Sequence, residues 1–195
     1  MPASSPTLCV YCGSRPGIDP AYAEAASAIG RGLGERGWSL VYGGGNVGLM
    51  GIVADAALAA GARVVGVIPE SLMRREVGHR SLHELHVVPD MHQRKRQMAE
   101  RADAFVALPG GIGTFEELYE VWTWRQLGYH QKPIGLLNVA GFYDGLWAFM
   151  QHTVAQGFLD RSQLSHVIVD DTPARLLDRL FDEGPLPAPG DFSKT

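Results

Sequence analysis

Apolar residues recur along this chain in two alternating periods. Short, nearly continuous apolar runs occupy residues 7–12, 38–42, 63–68, 84–88, 104–108, 133–137 and 165–169. Runs of this length predict strands that are buried on both faces. Between them, apolar positions recur at three- and four-residue spacing, which predicts helices over 20–36, 48–60, 91–102, 113–127, 143–156 and 172–181. Tyr22, Ala25, Ala26, Ile29 and Leu33 form one such stripe. This strand–helix alternation predicts an α/β fold built on a doubly wound parallel sheet. A single domain over residues 1–184 accounts for the pattern, with no internal repeat. Pro185, Pro187, Pro189 and Gly190 mark residues 185–195 as a loosely held tail. Residues 69–80 make the longest irregular connection, a candidate site loop.

In such a sheet, ligands bind beyond the carboxyl ends of the strands. The segments that follow strands carry the candidate chemistry: Gly13-Ser14-Arg15, the glycine run Tyr42-Gly43-Gly44-Gly45-Asn46-Val47-Gly48, Pro69-Glu70, Asp90 to Lys95, and Pro109 to Thr114. The last is the most specific. Pro109-Gly110-Gly111-Ile112-Gly113-Thr114-Phe115-Glu116-Glu117 joins an apolar strand to a helical pattern. A glycine turn there leaves N–H groups bare at a helix N-terminus, where the dipole favours an anion. The glycines let a phosphate approach the backbone, and Thr114 adds a hydroxyl donor. Glu116 and Glu117 are expected in the first helical turn, beside that phosphate. The structural alternative is a capped helix with two stabilising glutamates.

The remaining motifs are weaker. Gly43, Gly45 and Gly48 match a dinucleotide fingerprint, with Glu70 22 residues after Gly48. The match follows the second strand rather than the first, so a tight turn or a general nucleotide contact is the better reading. Arg94, Lys95 and Arg96 place cations at a helix start, against the dipole, which points to a functional role for at least one. His79, His83, His86 and His92 invite a metal reading, but they sit in a loop-like stretch or would face opposite ways on a strand. Only Lys95 of the three lysines lies near the expected site, which counts against a Schiff-base enzyme.

The 195 residues are 46% hydrophobic and 19% charged, enough for one well-packed domain. A net charge of −4 argues against a nucleic-acid or membrane-surface binder. The chain lacks any apolar run of about 20 residues, and residues 1–6 do not read as a signal peptide. The cytoplasm is the simplest compartment. Cys9 and Cys12 lie three apart on a predicted strand, so their thiols point to opposite faces and read as buried structural cysteines. Trp122, Trp124, Tyr129, Phe142, Tyr143, Trp147 and Phe149 crowd one region, as expected of core or of a subunit interface.

Three motifs together resemble one family: Tyr42-Gly43-Gly44-Gly45 with Gly48-Leu49-Met50-Gly51, Asp90-Met91-His92 with Arg94-Lys95, and Pro109-Gly110-Gly111 with Gly113, Thr114 and Glu117. They look like the "Lonely Guy" phosphoribohydrolases, long mislabelled as lysine decarboxylases. The resemblance spans about residues 7–182. It implies a Rossmann-like fold and a homodimer; no cofactor and no metal are expected. It also implies hydrolysis of the N-glycosidic bond of adenosine 5′-monophosphates bearing N6 substituents. Arg94 and Glu117 match the family's catalytic pair. Glu76 matches a substrate contact, although Arg74 stands where the family usually has proline.

The residue chemistry agrees. Breaking an N-glycosidic bond builds positive charge on ribose, which a nearby carboxylate stabilises. Glu117 lies three residues beyond Thr114, and helical side chains lean toward the N-terminus. The substrate contacts expected are Ser14, Gly43, Gly44, Gly45, Glu76, Arg94, Lys95, Gly110, Gly111, Gly113, Thr114 and Glu116. Glu117 is assigned charge stabilisation or water activation, and Glu116 the ribose hydroxyls. Arg94 binds phosphate or assists departure of the base. Two other classes stay open: a non-catalytic nucleotide-binding module and an NAD-type oxidoreductase.

Overall fold

The computed structural model describes residues 5–73, 78–79, 81–181, 190–192 and 195. Along the described chain the elements run β1 (Thr7–Tyr11), α1 (Pro20–Glu35), β2 (Ser39–Tyr42), α2 (Gly48–Ala59), β3 (Val64–Pro69), α3 (Glu70–Met73), β4 (Glu84–Val88), α4 (Met91–Arg101), β5 (Ala104–Ala107), α5 (Ile112–Gln126), β6 (Ile134–Leu137), α6 (Asp144–Ala155), α7 (Arg161–Leu164), β7 (Val167–Asp170) and α8 (Pro173–Phe181). Every long helix and every strand predicted from periodicity is present. The short helices α3 and α7 fall inside stretches read as connections.

The seven strands form one parallel sheet in the order β4-β3-β2-β1-β5-β6-β7. From β1 the chain winds outward through β2, β3 and β4, then crosses back to β5 and winds the other way. β1 and β5 are therefore neighbours whose following loops diverge, which opens a crevice at their carboxyl ends. One face of the sheet is covered by α1, α2 and α8, and the other by α4, α5 and α6. This double cover explains the continuous apolar runs: all six residues of β3 are buried.

Local sequence sets the helix starts that matter for the site. Asp19 caps α1 by accepting from the Ala21 N–H at 2.9 Å, with Pro20 in the first helical position. Asp90 caps α4 by accepting from the Gln93 N–H at 2.8 Å. Cys9 packs into the α4–α5–α6 layer and Cys12 into the opposite one, both as free buried thiols. Burial pushes both thiols well above the usual range. No helix among the described residues is long and apolar enough to cross a membrane.

Of the tail, only Gly190–Phe192 and Thr195 lie within the described residues. Phe192 is buried against His130 and Trp124, and the Asp191 N–H donates to the Tyr129 carbonyl.

The aromatic residues divide between roles. Trp122 is 5% exposed and donates its indole N–H to the Gln163 carbonyl at 3.1 Å, so it belongs to the core of the chain itself. Trp124 is partly buried against the same core. Phe149 on α6 and Phe158 beyond it are the aromatics left exposed.

Candidate active site

A cavity of about 500 Å³ opens at the switch point between β1 and β5. Its floor is the N-terminal end of α5. Gly111 is the cap residue of that helix, in extended backbone and with no side chain to bond the first turn. The Phe115 N–H donates to the Gly111 carbonyl at 3.1 Å. The N–H groups of Ile112, Gly113 and Thr114 precede that bond and stand at the positive end of the helix dipole. Gly111 and Gly113 have open space where a β-carbon would stand, so a ligand can reach their backbone. A β-carbon at Gly110 would instead overlap the buried Thr114 hydroxyl. These features form a cradle of bare N–H groups of the kind that suits an anion.

The loop after β1 forms the second side. Gly13 ties it to the cradle by donating its N–H to the Pro109 carbonyl at 3.0 Å, and its own carbonyl accepts from Leu49 N–H at 3.0 Å. Gly48 makes this fit possible. Its φ is +59°, and a β-carbon there would overlap the Ser14 carbonyl group. The end of the glycine run after β2 thus braces the Ser14 loop.

The third side carries the charge. Arg94 is 7% exposed, yet keeps its guanidinium satisfied: Nε donates to the Val67 carbonyl and Nη2 to the Gly43 carbonyl, each at 3.2 Å. A β-carbon at Gly43 would occupy the guanidinium's place. Arg94 Nη1 lies 3.6 Å from Glu117 Oε1, and Glu117 is itself 8% exposed. Burial raises the Glu117 carboxyl to about 7; the Arg94 charge opposes that rise, and Glu116 and Glu120 reinforce it. Glu117 thus ionises in the physiological range, inside a cavity and beside a fixed cation.

Most of the predicted site residues meet here. Ser14, Arg94, Gly110, Gly111, Gly113, Thr114, Glu116 and Glu117 all line the cavity. Others have different neighbours. Gly43, Gly44 and Gly45 lie outside the lining: Gly43 makes room for Arg94, and Gly44 packs on Ile68 and Leu85. Lys95 also lies outside it, with its ammonium on Glu116 and, at 2.9 Å, on Glu120. Glu116 therefore meets the cavity with its charge already paired. Glu76 lies outside the described residues. The helix begins at Ile112, so Glu116 and Glu117 occupy its second turn rather than its first. Three of the four histidines weighed as metal ligands are engaged separately: His79 with Asp55, His86 with Glu84, and His83 accepting from the Val64 N–H.

Tyr22, Met50, Met91 and Phe142 also line the cavity and were not predicted as site residues. They come from four separate segments, and their apolar character reads as core. The one available signal was position, since Met50 and Met91 each lie in the first turn of a helix that follows a strand.

Comparison with known proteins sharpens the reading. A family model described as "Possible lysine decarboxylase" matches residues 50–180. A cytokinin riboside 5′-monophosphate phosphoribohydrolase of Arabidopsis thaliana is 51% identical over 176 residues, spanning 90% of this chain and 81% of that protein. One of Oryza sativa subsp. japonica is 50% identical over 178 residues, spanning 91% and 74%. The chain belongs to the Lonely Guy family. Of the two lysines among the described residues, Lys95 is ion-paired outside the cavity and buried Lys132 donates to the Ala99 carbonyl, so neither presents a free amine to the cavity. More distant structures share the Lonely Guy architecture. A molybdenum cofactor binding protein of Rippkaea orientalis superposes with a TM-score of 0.71 at 20% identity, over 92% of this chain and 98% of that one. The molybdenum cofactor carrier protein of Chlamydomonas reinhardtii gives 0.69 at 20% identity, over 92% and 99%. At that identity the likeness shows the Rossmann-like fold alone.

Proposed function

We propose that this protein hydrolyses the N-glycosidic bond of adenosine 5′-monophosphates, including N6-substituted ones, to the free base and ribose 5-phosphate. The observation that carries the proposal is the buried Glu117 carboxyl. It stands beside Arg94, one helical turn beyond the phosphate cradle at Gly111–Thr114. The names of the curated relatives support the same reaction.

The cradle holds the 5′-phosphate and spends that remote binding energy on orienting ribose over Glu117. As the bond to the base lengthens, positive charge grows at the anomeric carbon. The Glu117 carboxylate stabilises that charge and takes a proton from the water that attacks the anomeric carbon; the base departs with the glycosidic electron pair and is protonated at nitrogen, and Glu117 returns to its carboxylate form. Arg94 counters the burial of Glu117, so that the carboxyl ionises at about 7 rather than higher. Its backbone bonds to Val67 and Gly43 fix it in place, so the pair is organised before substrate arrives. Glu116 takes the ribose hydroxyls while Lys95 holds it.

The protein acts as a homodimer in the cytoplasm. Exposed Phe149 and Phe158 supply apolar surface of the kind twofold contacts use. The two unbridged thiols suit a reducing compartment. The reaction is tested by incubating the protein with AMP and with isopentenyladenosine monophosphate and separating the products by chromatography. Free base from either supports it; intact nucleotide from both removes it.

A further inference from the structure

The cavity runs across the carboxyl edge of the sheet and ends differently on its two sides. Toward β2 and β3 lies Arg94, bonded to the Gly43 and Val67 carbonyls, with Glu117 beside it. The Gly111–Thr114 cradle follows β5, in the middle. Toward β6 the lining is Phe142, which follows that strand, and Tyr22 from the first turn of α1.

Tyr22 and Phe142 touch edge to face, with centroids 5.5 Å apart at 75°. Tyr22 packs with the α1–α2–α8 layer, and Phe142 with the α4–α5–α6 layer. Their contact therefore bridges the two helical layers and closes the crevice at that end. Both rings are held from behind. Phe142 abuts Tyr143, whose hydroxyl donates to the Leu108 carbonyl at 2.6 Å. Tyr22 abuts Gly17, where a β-carbon would stand 2.6 Å from the ring.

We propose that Tyr22 and Phe142 are the wall that ends the phosphate half of the site and restricts the substrate to a single phosphate. The proposal rests on the reading of the cradle given above. With ribose on the Arg94–Glu117 side, a second phosphate is directed away from it, toward β6. There it meets two aromatic rings rather than backbone N–H groups. Phe142 offers no donor and Tyr22 a single hydroxyl, and the two rings leave no room for a further phosphate beyond them. The wall discriminates by shape.

The test compares AMP with ADP as substrates for the wild type, Tyr22→Ala and Phe142→Ala, reading the absolute kcat/KM on ADP. The wild type is expected to use ADP at least about 100-fold less well than AMP, and each variant to raise kcat/KM on ADP by about tenfold or more. Arg15→Ala separates shape from charge, because Arg15 also lines the cavity; it is expected to lower kcat/KM on both nucleotides. Circular dichroism checks folding, and Tyr22→Leu and Phe142→Leu carry the test if an alanine variant unfolds. A wild type that accepts ADP as readily as AMP, or folded variants with unchanged kcat/KM on ADP, overturns the wall. If the wild type hydrolyses neither AMP nor isopentenyladenosine monophosphate, the proposed reaction fails instead. The wall is then read by calorimetry: AMP must bind at least about tenfold tighter than ADP, and Tyr22→Ala must narrow that gap.

Discussion

Replacing Glu117 by glutamine is expected to stabilise the protein at alkaline pH while disabling it. Burial takes the carboxyl from its ordinary value of 4.5 to about 7. Each tenfold step in acidity corresponds to about 1.4 kcal/mol, so keeping Glu117 ionised costs the folded state about 3 kcal/mol. The direction with pH follows from proton binding. Between pH 4.5 and 7 the folded protein retains a proton that the unfolded chain has released. Stability therefore falls as pH rises through that window, and the whole penalty is present above it. Glutamine matches the protonated side chain in shape and cannot ionise. Glu117→Gln should thus lie within about 1 kcal/mol of the wild type at pH 5 and exceed it by about 3 kcal/mol at pH 8. For a chain of this size that is a rise in melting temperature of about 6–12 °C. Arg94 keeps its bonds to Val67 and Gly43 in the variant, so it is not left without partners. Hydrolysis of AMP should fall by about 100-fold or more. Denaturant unfolding at the two pH values and steady-state kinetics provide the readings. A stability difference that is the same at pH 5 and pH 8, or near-native turnover, would refute the reasoning.

Four further outcomes follow from the same geometry. Gly43→Ala pushes the guanidinium out of its seat; kcat/KM on AMP should drop by about tenfold or more with the fold intact by circular dichroism, and an unchanged value would detach Arg94 from the reaction. The pH profile of kcat/KM should rise through about 7 as Glu117 ionises, and that limb should vanish from the residual activity of Glu117→Gln. Adenosine should be a substrate at least about 100-fold poorer than AMP, since it leaves the cradle empty; comparable kcat/KM values would contradict the phosphate assignment. Light scattering should read twice the 21.1 kDa chain mass, with Phe149→Asp shifting it toward the monomer; a fully active monomer would sink the dimer.

How far the sequence could be read depended on whether a feature was local. Strands such as 64–69, buried on both faces, left uninterrupted apolar runs, and the stripe from Tyr22 to Leu33 lay at helical spacing, so the parallel sheet was legible. The glycine turn into α5 was legible too, because its glycines and Thr114 are close together in the chain. The start of α5 was not: no side chain caps it at Gly111, so its first turn lay a residue early and the glutamates fell in the second. Pairings between distant segments left no trace either. Nothing near Lys95 indicates that it meets Glu116 and Glu120, 21 and 25 residues away. Gly43 resembled a phosphate contact because the run around it looks like a nucleotide loop, yet its missing β-carbon makes room for Arg94, 51 residues on. Trp122 could be read as core or as interface because residue type alone does not separate an inward-facing tryptophan from an outward-facing one.

The central claim is that the cradle and the Glu117–Arg94 pair together cleave the bond between base and sugar while the phosphate stays on the sugar. The most direct measurement is the product inventory from AMP, with base and sugar phosphate quantified separately. The account predicts adenine and ribose 5-phosphate in equal amounts, with no adenosine and no inosine monophosphate. Release of adenosine with inorganic phosphate, or nucleotide that binds and is recovered intact, would contradict it.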